Sequence, residues 1–181
     1  MRLFLAVDIP NEVKKELDMQ LEPLKKEYPY LKWVPPQNYH VTLFFFGDRF
    51  PKDMIQKHVE NVTFDSRSFH MYTGENGILM RNTLTFYAGF LKCQPIEQMV
   101  KRIKTEMNIV DDLKFFPHLT VARYRIPSKQ QYLLLKKKWL KMKLDVEFEV
   151  SQITLYESVI EKNVPIYAPQ TTFPLLSRID D

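Results

Sequence analysis

The sequence predicts an α+β fold of two lobes related by a pseudo-two-fold duplication, with antiparallel sheets lining a central cleft and helices on the outside. Three observations predict it. The order of elements repeats along the chain: strand, long helix, strand, shorter helix, strand, and then the same again. The second strand of each set carries one pattern, His40-Val41-Thr42-Leu43 and His118-Leu119-Thr120-Val121, which uses two of the chain's four histidines. A hydrophobic content of 45% with 4 glycines in 181 residues describes a well-packed globular chain. At this length it should bury about 70% of its extended surface. Residues 1–181 are read as a single two-lobed domain. Identities match poorly outside the two motifs, so the repeat is one of element order.

The first run, Arg2 to Asp8, reads as a buried strand that stops ahead of Pro10. A helix is predicted from about Asn11, because Val13, Leu17, Leu21 and Leu24 share one face, and Pro29 lies beyond its end. A loop with Trp33, Pro35 and Pro36 leads into the first His strand, His40 to Phe46, closed by Gly47-Asp48. Lys52 to Asn61 reads as a short helix with Ile55 and Val59 inward, and Val62 towards Tyr72 as a strand. Ile78 to Met80, the turn Arg81-Asn82 and the run Thr83 to Phe90 read as a hairpin. Ile96, Met99, Val100, Ile103 and Met107 recur at helical spacing and mark a second long helix with a core stripe. Pro117 introduces the second His strand, His118 to Tyr124. A lysine-rich helix from about Ser128 to Met142 and a strand-like stretch from Val146 to Ser158 complete the second set.

Side chains two apart on a strand share a face, so each motif projects an imidazole and a hydroxyl together. Two such strands facing across a cleft give two groups for proton transfer and two hydroxyls for phosphoryl oxygens. Exchanging one alcohol on phosphorus for another requires one group to take a proton and one to give it, and histidine does either near neutral pH. His40 and His118 are therefore the candidate catalytic residues, with Thr42 and Thr120 binding substrate; the scheme calls for no metal and no cofactor. His58 and His70 lack such a setting and are assigned to a helix surface and a strand.

Arg123 follows His118 by five residues, an odd separation that on a regular strand points it to the opposite face unless a bulge or the strand's end re-aims it. On the residues alone it is either a forked clamp on a phosphate oxygen or a structural arginine. Phe44, Phe45 and Phe46 supply mostly core, with Phe45 taken as the ring that reaches the cleft to stack a base. Lysines 136, 137, 138, 141 and 143 read as the charged outer face of a helix.

A single cysteine, Cys93, excludes an internal disulfide and offers no zinc-site spacing, and reads as a buried or half-buried cytosolic thiol. The opening apolar run is interrupted by Asp8 and Pro10 and is too short for a signal peptide or a membrane span, so a cytoplasmic chain is expected. A net charge of +4 is compatible with a polyanionic substrate without demanding one.

These residues resemble the two-histidine phosphoesterases, specifically the bacterial and archaeal RNA 2',3'-cyclic phosphodiesterases historically called 2'-5' RNA ligases. Arg2-Leu3-Phe4-Leu5-Ala6-Val7 with Pro10 resembles the family's opening strand, and Trp33-Val34-Pro35-Pro36, His40-Val41-Thr42-Leu43 and Phe45-Phe46-Gly47 its first motif. Pro117-His118-Leu119-Thr120-Val121-Ala122-Arg123 is similar to the second motif. Leu155-Tyr156-Glu157-Ser158, Pro165, Tyr167 and Phe173-Pro174-Leu175 are similar to the closing segment. Two departures stand out: Val164 occupies the place of a usual glycine, and Phe116 that of a commonly basic residue, which bears on contacts to the RNA backbone rather than on the chemistry.

The resemblance implies hydrolysis of RNA 2',3'-cyclic phosphate ends to 2'-phosphates, with His40 as acid on the leaving 3' oxygen, His118 as base on water and Arg123 as the phosphate clamp. The implied partner is RNA or an oligonucleotide with a cyclic phosphate end, bound by a monomer and away from membranes. Alternatives are a phosphodiesterase for 2'-5' oligonucleotides or small cyclic nucleotides, and a non-catalytic module that binds RNA ends or nucleotides in the same cleft.

Overall fold

A computed structural model describes residues 1–110, 114–125, 128–161 and 164–177. Strand β1 (Leu3–Asp8) is apolar along its length and buried, and Pro10 ends it and caps helix α1 (Asn11–Glu27). The stripe of Leu17, Leu21 and Leu24 is turned inward, as its spacing predicts. A two-residue strand β2 (Lys32–Trp33) and a 3-10 helix (Pro36–Asn38) lead to β3 (His40–Gly47). Gly47 closes β3 at φ 67°, a left-handed conformation that glycine adopts without steric cost.

The predicted strand from Val62 is corrected. Helix α2 (Lys52–Thr63) runs through Val62 and Thr63, both buried, and Thr63 donates its hydroxyl to the Val59 carbonyl inside the helix. Strand β4 (Phe69–Met80) then runs unbroken through what reads in sequence as the end of one strand and the start of a hairpin. It pairs with β5 (Leu84–Phe90), Met80 opposite Leu84, around the expected turn.

Helix α3 (Gln94–Glu106) buries Ile96, Met99, Val100 and Ile103. Next come β6 (His118–Tyr124) and α4 (Lys129–Lys141), where Ser128 and Gln131 form a reciprocal capping box. Leu135 and Trp139 face inward, and the Trp139 indole donates to the Gly77 carbonyl at 2.9 Å. The Val146 to Ser158 stretch is not one strand but two. Glu147–Val150 forms β7 on the edge of one sheet, and after Ser151 the chain crosses to the other sheet as β8 (Gln152–Glu161), which pairs with β9 (Val164–Pro174).

Two antiparallel sheets result, in the orders β3-β1-β8-β9 and β2-β6-β5-β4-β7. Each is built by both halves of the chain, because β4 leaves the first half for the second sheet while β8 and β9 return to the first. The pseudo-two-fold relation expected from element order is therefore present with its third strands exchanged. One contiguous apolar core takes residues from both sheets and from all four helices described.

Candidate active site

Strands β3 and β6 approach each other where the two sheets face. Between them lies a cleft of about 180 Å3, lined by His40, Thr42, Phe45, His118, Thr120 and Arg123, which are the six side chains singled out in the sequence. Phe4, Val34, Asn38, Ser158 and Tyr167 complete it. His58 and His70 sit on α2 and β4 and are not part of its lining.

A β-bulge puts Arg123 there. Along β6 the register steps from Tyr87 opposite Thr120 to Phe86 opposite Ala122, two residues against one, so Val121 is the extra residue. Val121 and Ala122 are both buried, and the parity of the strand is reversed beyond them. The same device occurs in β3: Ala6 faces Thr42 and Leu5 faces Phe44, which makes Leu43 the extra residue. Leu43 and Phe44 are both buried and Phe45 is turned out. Arg123 and Phe45 thus occupy equivalent positions.

The imidazoles are anchored in parallel fashion. His40 Nδ1 meets the Asn38 carbonyl at 2.7 Å and His118 Nδ1 meets the Phe116 carbonyl at 3.1 Å, in each case the residue two before. A carbonyl only accepts, so both Nδ1 atoms carry hydrogen and the neutral rings keep the Nε2 lone pair free for chemistry. His40 Nε2 lies 3.1 Å from Thr42 Oγ1. Asn38 also donates its side-chain amide to the Pro165 carbonyl at 2.9 Å, which ties the β8-β9 hairpin to the loop that orients His40.

Aromatic rings pack the histidines differently. Phe4 and Tyr167 lie 5.1 and 5.0 Å from the His40 ring, Tyr167 edge-on. Phe116 stacks on His118 at 4.4 Å with an 18° tilt, and Tyr87 meets it edge-on.

Burial is the main influence on both histidines and lowers their proton affinity below the ordinary value, while the backbone carbonyls of Asn38 and Phe116 act to raise it. Asp8, opposite His40 in the β1-β3 pairing, also raises that of His40, against Lys14 and Arg123. Asp8 is itself held by the hydroxyls of Thr154, at 2.6 Å, and Tyr156. Burial raises the Tyr167 phenol above its usual value, so it remains a neutral hydrogen-bond donor.

Of these supporting residues, Tyr167 was visible in the sequence only as part of the closing segment, and Asn38 carried no signal: its own carbonyl holds the His40 ring, and its side-chain amide is held by the Pro165 carbonyl that the fold brings to it. Among the described residues no group of three or more His, Cys, Asp or Glu is arranged to hold a metal ion.

Fold and paired motifs define a two-histidine phosphoesterase. The sequence model of the 2'-5' RNA ligase superfamily matches residues 13–159, and the chain belongs to that superfamily. A Thermotoga maritima protein named RNA 2',3'-cyclic phosphodiesterase is 27% identical over 180 residues, covering 92% of this chain and 91% of that one. A Methanocaldococcus jannaschii protein of the same name is 28% identical over 176 residues, covering 92% and 96%. In fold, a Thermus thermophilus crystal structure matches with TM-score 0.77 at 22% identity, over 99% of this chain and 100% of that one. Apo LigT of E. coli matches at 0.75 and 19% identity, over 97% of both. LigT structures also exist in complex with 3'-AMP and with phosphate.

Proposed function

We propose that the protein hydrolyses 2',3'-cyclic phosphate ends of RNA to 2'-phosphates by metal-independent acid-base catalysis between His40 and His118. The observation that carries this reading is the pair of imidazoles, each fixed through Nδ1 to the carbonyl two residues before it, with Thr42, Thr120 and Arg123 in the same cleft. The names of the relatives and the phosphate and 3'-AMP complexes of LigT support the substrate class.

In this scheme His118 Nε2 takes a proton from water as the water oxygen bonds to phosphorus. The bond from phosphorus to the 3' oxygen breaks, and His40, entering protonated, gives its proton to that oxygen. A free 3'-hydroxyl and a 2'-phosphate result, and the proton inventory of the two rings is exchanged. The assignment of His40 as acid draws support from Asp8, a carboxylate that favours the imidazolium and that has no counterpart acting on His118 among the described residues. Arg123, Thr42 and Thr120 hold the non-bridging oxygens and stabilise the charge that gathers on the pentacoordinate phosphorus. Phe45 stacks on the terminal base. The chain acts as a monomeric, two-lobed cytoplasmic unit; among the described residues no helix is long and apolar enough to cross a membrane.

The test is incubation, in EDTA, with an oligoribonucleotide ending in a 2',3'-cyclic phosphate. The expected product is a phosphatase-sensitive end that resists periodate until the phosphate is removed and that co-migrates with an authentic 2'-phosphate standard, not with the 3'-phosphate. An unchanged end, or activity that needs added metal, overturns the reading.

A further inference from the structure

His118 has fewer holds than its partner. The His40 ring meets partners at both nitrogens, the Asn38 carbonyl and Thr42 Oγ1, and packs on Phe4, which is 3% exposed. Among the described residues His118 has one hydrogen bond, to the Phe116 carbonyl, and the ring stacked on its face is that of Phe116 as well. Phe116 precedes β6, lies in no strand and is 39% exposed. One hydrogen bond fixes one atom of an imidazole, and packing sets the plane of the ring. The stack of Phe116 on His118 therefore needs a support from outside itself.

Tyr87 stands where that support is needed. It lies in β5, between β4 and β6, with Gly77 opposite it on one side and Thr120 on the other. Its ring meets both members of the stack edge-on, with centroids 5.4 Å from His118 and 5.3 Å from Phe116. Tyr87 does not itself line the cleft.

Gly77 makes this arrangement possible. A β-carbon built on it would overlap the Tyr87 hydroxyl, so the phenol lies across the glycine. The backbone at Gly77 is not left-handed, so the phenol and not the chain requires glycine there. Helix α4 fixes the seat from behind: the Trp139 indole donates to the Gly77 carbonyl, and the Asn76 side-chain amide donates to the Met142 carbonyl at 2.7 Å.

We propose that Tyr87, seated on Gly77, is a positioning residue for His118: its ring closes the open side of the Phe116 stack and holds the imidazole in the plane from which Nε2 reaches water. The inference rests on the hydrolytic reading above and adds to it the device that aims the base. Tyr87 acts through His118 and touches no substrate, so its loss should fall on kcat and leave binding alone.

The test follows turnover of a 2',3'-cyclic phosphate end by Y87A, Y87F, G77A and G77A/Y87A. In Y87A kcat should fall about ten- to hundred-fold with KM within about two-fold of the wild type. Y87F keeps the ring and should recover most of that loss. G77A displaces the phenol and should resemble Y87A, while G77A/Y87A should be no worse than Y87A, because the methyl then fills vacated space. An unchanged kcat in Y87A, a loss carried by KM, an equal loss in Y87F, or additive losses in the double variant each overturn the proposal. If Y87A does not fold, Y87L supplies the same comparison. Should the wild type turn over no cyclic phosphate, the hydrolytic reading fails, and the NMR shifts of the His118 ring protons, assigned by their absence from H118A, decide the positioning without it. They should lie upfield under the Phe116 ring, move downfield in Y87A and stay in Y87F; shifts unmoved in Y87A overturn it.

Discussion

Strands β3 and β6 are the same device with different contents. Both begin with a histidine whose Nδ1 is fixed by the carbonyl two residues back, both bring a threonine beside it, and both bulge at the next residue, Leu43 or Val121. The bulge delivers a phenyl ring, Phe45, on one side and a guanidinium, Arg123, on the other. His40 faces a carboxylate-bearing strand, and His118 is covered by the exposed ring of Phe116. A repeated backbone thus supplies symmetric positions, and in the proposed function the side chains placed on them divide the labour between gripping a phosphate and gripping a base.

The largest effects should come from the histidines themselves. His40→Ala and His118→Ala should each lower kcat by roughly 100- to 10,000-fold. The double variant should be little worse than the poorer single one, because both act in one transition state. A diester with a good leaving group breaks the symmetry: it should rescue the variant that lost the acid, His40→Ala, and not the one that lost the base. Rescue of His118→Ala instead would reverse the two roles.

Next in size is the bulge pair. Arg123→Ala should cost about 100- to 1,000-fold in kcat, as expected for loss of a donor to developing charge. Phe45→Ala, at the equivalent position, should leave kcat nearly intact and raise KM by about ten-fold, the scale of one stacked base. If both changes fall on kcat, the division between phosphate and base is wrong.

The pH profile sharpens the comparison further. Both histidines are held below their ordinary proton affinity by burial, so the singly protonated pair is most abundant on the acid side of pH 6.5, and kcat/KM should peak there. A bound phosphate stabilises imidazolium, so the profile of kcat should lie at higher pH than that of kcat/KM. Asp8→Asn removes a charge that favours protonated His40, and the alkaline limb of kcat/KM should move to lower pH. An unmoved limb would leave Asp8 only its anchoring by Thr154 and Tyr156.

The histidine strands were legible because their signal is local. β-Branched and aromatic runs bounded by proline and glycine specify strands, and a two-residue period places His and Thr on one face. What the sequence hides lies in the partners. The position of Arg123 depends on a two-for-one register with β5, which β6 does not encode alone. Val62 and Thr63 are β-branched yet helical, since the core packs them more firmly than their propensity resists. Val146 to Ser158 alternates like one strand because β7 and β8 have the same period; only the neighbours on either side of Ser151 distinguish the two sheets.

The exchange of strands between the sheets governs how the chain comes into being. β1 lies between β3 and β8, and its partner β8, Gln152–Glu161, follows in the chain only after α1 to α4 and β7. On the ribosome, therefore, one edge of β1 waits through the synthesis of every element from α1 to β7 for the strand that covers it. During that interval it is an open apolar template for the wrong neighbour. The helices and the β4-β5 hairpin close over short distances, whereas the sheet that carries His40 is complete only once β8 and β9 reach β1.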